Sequence, residues 1–267
     1  MDIMTAIVLG IVQGLTEFLP VSSSGHLVLM QKIFGVKEPG LFFDTMLHIG
    51  TLSAVFVVLW KDIWDILKKI IQPLTLYLII ATIPAVIAAL AFKDLIESAF
   101  ESGQFLGICF LITSALLVTA EQLAKRAADK RSGENMKWID AVIIGIFQAV
   151  AIAPGISRSG ATISGALSRK LDRDFAARFS FLLSIPAILG ALVLQVKDLI
   201  KGKAAVNEIS GVLPVVAGTI TAAIVGFFAV KFMLKIIKEK KLYGFAIYTA
   251  ALGLFVLLDQ FVTRIIF

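Results

Sequence analysis

The 267-residue chain has little of what soluble enzymes rely on: only 16% of its residues are charged. It holds one cysteine, Cys109, and two histidines, His26 and His48. A single cysteine excludes an intrachain disulfide, and the three residues together exclude a zinc site of finger spacing. The phosphate-binding loop GxxxxGK[ST] is missing, so no ATP-driven pump is indicated. Lys and Arg (25) exceed Asp and Glu (19), yet no basic run alternates with aromatics, so nucleic acid is not an expected partner. What is abundant is apolar: 58% of the chain is hydrophobic and its mean hydropathy is +0.93. That exceeds what a soluble domain can bury and fits an integral membrane protein. The opening "MDIMTAIVLG" has no basic n-region and no small-residue cleavage site, and is expected to be retained.

Six segments reach the roughly 20 apolar residues needed to cross a bilayer: 42–60, 73–92, 105–124, 175–196, 211–230 and 242–263. Two more apolar regions, 3–30 and 139–168, are broken at their centres by Pro, Gly and Ser. Their halves are too short to span and predict re-entrant hairpins. The expected fold is therefore all-α: six transmembrane helices plus two re-entrant helical hairpins.

Basic loops mark the inner side. Lys61, Lys68 and Lys69 follow the first span; Lys125, Arg126, Lys130, Arg131 and Lys137 follow the third; Lys231, Lys235, Lys238, Lys240 and Lys241 follow the fifth. The 93–103 segment, with Asp94, Glu97 and Glu101 against Lys93, is then outside. The first hairpin enters from outside and the second from inside. Lys197, Lys201 and Lys203 fall outside, against the rule.

The first hairpin reads "GIVQGLTEFLPVSSSG" over 10–25, and a shift of 135 places it on "GIFQAVAIAPGISRSG" over 145–160. Gly10, Ile11, Gln13, Ser22, Ser24 and Gly25 meet identical residues in the second copy. Matching polar residues in membrane segments point to an internal repeat, 1–134 and 135–267. Three spans follow each hairpin, an odd number, so the second repeat is inverted relative to the first. The hairpin tips are expected to meet near the midplane.

Gln13 and Glu17, four apart, share a helix face. Pro20 disfavours helix at Leu19. Beyond it the serines of "SSSG" are positioned to cap a second half-helix, and "PGISRSG" repeats the arrangement. Two helix N-termini and Arg158 make an anion site, with phosphate the usual tenant. Arg158 at membrane depth costs roughly 3 kcal/mol and calls for a partner, for which Glu17 is the candidate. His48 reads as a satisfied hydrogen-bonder, Asp44 and Arg178 as interface markers, and Glu121 as interfacial or solvated. A metal would be hard and oxygen-bound, Mg²⁺ or Ca²⁺, held by Glu17 and phosphate oxygens. The inverted, broken-helix pattern also suits an anion transporter or lipid flippase; the Glu–Ser–His constellation on one tip favours an enzyme.

"QGLTEFLPVSSSGH" and "PGISRSGAT" closely resemble the two signature motifs of the bacterial undecaprenyl-diphosphate phosphatase family of bacitracin-resistance type. The resemblance runs over essentially the whole chain. It places the family's [Glu/Gln]-x-x-x-Glu motif on Gln13 and Glu17, the serine proposed as nucleophile on Ser23, the motif histidine on His26, and the phosphate-binding arginine on Arg158. Many members have Glu where this chain has Gln13, leaving one carboxylate fewer. The resemblance implies hydrolysis of undecaprenyl diphosphate to undecaprenyl phosphate in the bacterial plasma membrane, with the active site at the outer face. Glu17, Ser23, His26 and Arg158 are then the expected catalytic residues. Gln13, Ser22, Ser24, Gly25, Ser157, Ser159, Gly160 and Thr162 are expected to bind substrate, and Glu17 the cation. His26 is expected to act as base or acid beside Ser23, with Glu17 orienting His26 or the cation. Whether Ser23 or His26 is the nucleophile stays open, as does a homodimer.

Overall fold

Inside hydrocarbon each backbone N–H and C=O must find its partner within the same segment, so apolar runs of this length become helix. The computed structural model describes residues 1–36, 41–126, 131–200, 211–239 and 241–267. These form α1 (Ile3–Thr16), α2 (Ser23–Ile33), α3 (Leu41–Val58), α4 (Trp60–Lys68), α5 (Pro73–Ala91) and α6 (Lys93–Ser102). There follow α7 (Leu106–Arg126), α8 (Trp138–Val150), α9 (Arg158–Ser168), α10 (Arg173–Ile200), α11 (Val212–Glu239) and α12 (Tyr243–Leu258). No strand occurs among the described residues. Among the described residues five helices are long and apolar enough to cross a membrane, and six if α3 and α4 count as one broken span. The chain is a multi-pass membrane protein.

Three expectations change. The span expected over 42–60 ends at Val58 and the chain turns by 80° into α4. There Trp60 stacks on Trp64 at 5.4 Å and Lys68 lies over the Trp64 ring, an aromatic–cation set typical of a membrane interface. The 93–103 segment, read as a loop, is helix α6. The lysine-rich stretch after the fifth span is no loop either, because α11 continues to Glu239. At about 1.5 Å per residue, 28 residues exceed the ~30 Å hydrocarbon core, so Lys231, Lys235 and Lys238 ride on helix beyond it. Lys130, Lys201, Lys203 and Lys240 lie outside the described residues.

Residues 3–30 and 139–168 each form two short helices with a break between them, as their Pro–Gly–Ser centres predict. The first helix of each pair packs on a span distant in sequence: α1 lies against α11, and α8 against α5. Without a hydrophobic drive in lipid, such contacts depend on small residues that let backbones approach. A Cβ on Gly10 would stand 2.5 Å from the Gly218 carbonyl oxygen of α11, and one on Gly145 would stand 2.7 Å from the Ala81 carbonyl oxygen of α5. The α7–α12 crossing is built the same way, Gly107 against Gly253.

Glu121, expected to be interfacial or solvated, is fully buried. Arg173 donates to its two oxygens at 2.8 and 2.6 Å and the Leu242 amide donates at 2.8 Å. A fork of this kind satisfies a carboxylate that burial would otherwise penalise. Asp140, also fully buried, is likewise shared by Arg131 and Arg169. Both networks tie helix ends together away from the hairpin tips.

Gly10→Val should lower the thermal midpoint in detergent, because backbone faces the new side chain; overpacking of this kind costs about 1–3 kcal/mol. Gly244→Ala, with nothing within 4 Å of the new methyl, should leave it unchanged. Equal midpoints for the two variants would contradict the α1–α11 packing.

Candidate active site

Both hairpins turn on a serine. Ser22 caps α2, its Oγ accepting from the Gly25 amide at 3.2 Å; Ser157 caps α9, accepting from the Gly160 amide at 3.0 Å. Ser22 pairs with Ser24 at 3.3 Å, and Ser157 with Ser159 at 3.2 Å. The first residue of α2 is Ser23 and the first of α9 is Arg158. Ser23 and Arg158 thus occupy the same place on their own tips, beside amides the helix leaves free.

The tips meet. The Ser159 hydroxyl donates to the Leu19 carbonyl at 3.0 Å, and the Gly155 amide donates to Ser24 Oγ at 3.5 Å. Gly155 has φ +93, and a Cβ on it would lie 2.7 Å from Cys109 Cβ, so position and conformation both call for glycine. Thr113 of α7 accepts from the Ser157 amide at 3.0 Å and bonds the Gly155 carbonyl at 3.1 Å, fixing the second tip.

Glu17 is the junction. α1 stops at Thr16, earlier than Pro20 alone requires, with Glu17 as its C-cap. One carboxylate oxygen, Oε1, accepts from the Arg158 guanidinium. The other, Oε2, accepts from the Ser23 hydroxyl at 2.6 Å and the Gln13 amide at 3.0 Å. His48 Nδ1 lies 3.2 Å from the same oxygen and 2.8 Å from Gln13 Nε2. Glu17, Ser23, Ser24, His48, Ser157 and Arg158 line a cavity of about 250 Å³, walled on its apolar side by Phe100, Ile152, Ile156, Ala187, Ile188 and Ala191. A charged, hydroxyl-lined end facing an apolar wall matches a ligand with a phosphate head and a hydrocarbon tail.

Some expected residues stand elsewhere. His26 neither lines this cavity nor bonds Glu17 or Ser23. Its Nδ1 bonds the Ser22 carbonyl at 2.7 Å and its Nε2 the Tyr248 hydroxyl at 2.7 Å. One helical turn from Ser23 in sequence, it points to α12 because the i+3 direction on α2 faces Phe110 and Tyr248 rather than α1. Gln13, fully buried, supports Glu17 from behind and is not in the cavity wall. Thr162 is fully buried and bonded to Ser180 at 2.6 Å. Gly25 and Gly160 contribute their amides to the caps.

Sequence reasoning missed Tyr248 and Thr113, and read His48 only as a satisfied hydrogen-bonder, without its partners Gln13 and Glu17. His48 carried a signal, since it lies one turn past Asp44, but Asp44 is taken by Gln31 at 2.9 Å and the imidazole goes to Glu17.

The residues do not build a metal site of their own. Glu17 is the one carboxylate among the cavity-lining residues, and both its oxygens are engaged by protein donors. No group of three or more His, Cys, Asp or Glu able to hold an ion occurs among the described residues. Gln13 Oε1 is buried without a partner, but so is Oε1 of Gln148, its counterpart in the other hairpin, so the orphan oxygen does not mark a cation.

The family model described as bacitracin resistance protein BacA matches residues 6–255. The undecaprenyl-diphosphatase of Carboxydothermus hydrogenoformans is 47% identical, over 97% of this chain and 98% of that protein. Undecaprenyl-diphosphatase 3 of Bacillus cereus strain ATCC 14579 is 47% identical over 98% of both chains. The undecaprenyl-diphosphatase of Methanosphaera stadtmanae is 41% identical over 95% and 96%.

Breaking a buried ion pair strands the surviving charge. Glu17→Ala should destabilise the folded protein by roughly 3 kcal/mol, at the lower end for a buried pair because Arg158 keeps some contact with the cavity. Glu17→Ala combined with Arg158→Met should recover most of that. Thermal unfolding in detergent tests this; a double variant no more stable than the single one would show that the pair does not hold the tips.

Proposed function

The chain belongs to the BacA bacitracin-resistance family, and from that premise we propose that it hydrolyses undecaprenyl diphosphate to undecaprenyl phosphate and inorganic phosphate. That reaction returns the carrier lipid to cell-wall synthesis and confers resistance to bacitracin. The observation that carries the mechanism is the contact of 2.6 Å between Ser23 Oγ and Glu17 Oε2. A serine whose proton already points at a carboxylate, at a helix N-terminus and opposite an arginine, is an activated nucleophile beside an anion site.

The diphosphate enters the hydroxyl-lined end of the cavity and the polyprenyl chain follows the apolar wall. Ser23 Oγ attacks the terminal phosphorus while its proton passes to Glu17 Oε2, and the bond to the lipid phosphate breaks. The departing undecaprenyl phosphate takes that proton from Glu17. Water then attacks the phosphoserine, its proton passing to Glu17 and from there to Ser23 Oγ as inorganic phosphate leaves. Glu17, not His26, is the base in this scheme. Arg158 binds the phosphoryl oxygens with the donors it does not spend on Glu17, and the free amides of α2 and α9 add to it. Ser24, Ser157 and Ser159 hold the tips that present these groups. Glu17, the one carboxylate among the described cavity-lining residues, is the group that would face a divalent cation, Mg²⁺ or Ca²⁺, which would supply neutralisation of the charge on the leaving group.

The two halves, 1–134 and 135–267, form an inverted repeat of one hairpin and three spans each. In support, α1 packs on α11 of the second half while its counterpart α8 packs on α5 of the first. The active site opens to the outer face of the plasma membrane. In support, the basic ends carrying Arg131, Arg169 and Arg173 lie away from the tips and belong inside by the loop rule.

Pure protein in detergent has no two compartments, so a transporter would only bind. The proposal expects cation-dependent phosphate release from a polyprenyl diphosphate. It expects a loss of at least a hundredfold in Ser23→Ala and in Arg158→Ala. Arg158→Lys should fail nearly as badly, since Lys lacks the bidentate fork. Binding without release by folded wild-type protein would favour a flippase.

Orientation is tested in intact cells with an impermeant thiol reagent. Ser98→Cys on α6 should react and Ser132→Cys should not, both positions being exposed; the native Cys109 is buried. The reverse labelling would put the site on the cytoplasmic side.

A further inference from the structure

The motif histidine has no part in the scheme above, and its surroundings explain why it is there. Ser22 is one of three non-glycine residues with positive φ among those described, at φ 72 and ψ 95. Such a backbone costs of order 1–3 kcal/mol and persists only where its neighbours hold it. The equivalent residue on the other tip, Ser157, sits at an ordinary φ of −69. The two tips differ in one further respect: the counterpart of His26 is Ala161. The strained tip and the imidazole therefore occur together, on the hairpin that carries Ser23.

The imidazole holds the strained residue directly. The Ser22 carbonyl accepts from both the His26 amide at 3.2 Å and His26 Nδ1 at 2.7 Å. A carbonyl only accepts, so Nδ1 carries the hydrogen, and in the neutral ring Nε2 accepts from the Tyr248 hydroxyl. The ring is stacked on Tyr248, 9° from parallel, and meets the edge of Phe110 at 5.4 Å. Gly25 makes room for that edge, since a Cβ there would lie 2.7 Å from Phe110 Cζ.

We infer that Tyr248 is a positioning residue for the reaction: through His26 it clamps the Ser22 carbonyl, and the clamped turn aims Ser23 at Glu17. Neither ring nitrogen is free to act on phosphate. The inference rests on the phosphatase reading of this site, and the test separates the two.

Asparagine and glutamine discriminate, because each copies one ring nitrogen. His26→Asn keeps a donor at the place of Nδ1, within reach of the Ser22 carbonyl; His26→Gln reaches toward Tyr248 and abandons the carbonyl. Turnover of a polyprenyl diphosphate is followed in detergent, with thermal midpoints to confirm folding. His26→Asn should retain kcat within about tenfold of wild type, whereas His26→Gln and His26→Ala should each lose a hundredfold or more, all with KM little changed. Tyr248→Phe should lower kcat about five- to twentyfold in the wild-type background and have no further effect in His26→Asn, where the link to the carbonyl no longer runs through it. Equal loss in folded Asn and Gln variants would mean that the imidazole itself does chemistry, and would overturn the inference. So would a Tyr248→Phe effect of the same size in both backgrounds, or none in either. Wild-type protein that releases no phosphate would instead sink the phosphatase reading and leave the clamp to be read from the midpoints, where His26→Asn should still exceed His26→Gln.

Discussion

The ion pair between Glu17 and Arg158 is the constraint around which the membrane core is arranged. Neither charge is tolerable alone at this depth, and they arrive on different hairpins, 141 residues apart. Satisfying both requires the two tips to touch. Touching tips require α1 and α8 to lie close against distant spans, and that closeness requires glycine at positions 10, 14 and 145, where any side chain would meet backbone or packed neighbours. The serine caps, the left-handed Ser22 and the Thr113 bridge all serve the same junction. The site is thus assembled by electrostatic necessity as much as by packing.

The same pair is incomplete in itself. Arg158 keeps contact with the cavity, its side chain 17% exposed against 4% for Glu17. The carboxylate is fixed by the guanidinium on one oxygen and left to receive the Ser23 hydroxyl on the other. A symmetric arrangement, with serine or arginine on both tips, would give either two hydroxyls without a guanidinium or two guanidiniums without a hydroxyl. Different residues at the first position of α2 and α9 bring a hydroxyl and a guanidinium to the two oxygens of one carboxylate.

The broad architecture was legible because its causes are local. Hydropathy alone marks the spans, and Pro20, Gly155 and the serine runs mark the breaks. The Glu17–Arg158 pairing could be anticipated from cost, since a buried guanidinium needs an anion. What could not be read was direction. Ser23 and His26 are one turn apart, yet one faces α1 and the other α12, and only the neighbours of α2 decide which. His48, read as an isolated hydrogen-bonder, reaches Glu17 because α3 passes behind the tip. Glu121 reads from the sequence as interfacial or solvated; Arg173, 52 residues away, is the partner that lets it be buried. The 80° turn at Leu59 escaped notice because hydropathy does not separate a helix crossing the membrane from one lying along its surface.

The wide separation of Glu17 and Arg158 also bears on how the protein is made. At about 5–20 residues per second, the ribosome delivers Arg158 roughly 7 to 30 seconds after Glu17. The partner surface for α1, on α11, is translated later still. Throughout that interval the Glu17 carboxylate has Ser23 and Gln13 beside it on its own hairpin but lacks the guanidinium that balances its charge. Docking of the first hairpin against α11 and the second tip therefore follows the synthesis of both, and a chain stalled before Arg158 carries the Glu17 charge without its counter-ion.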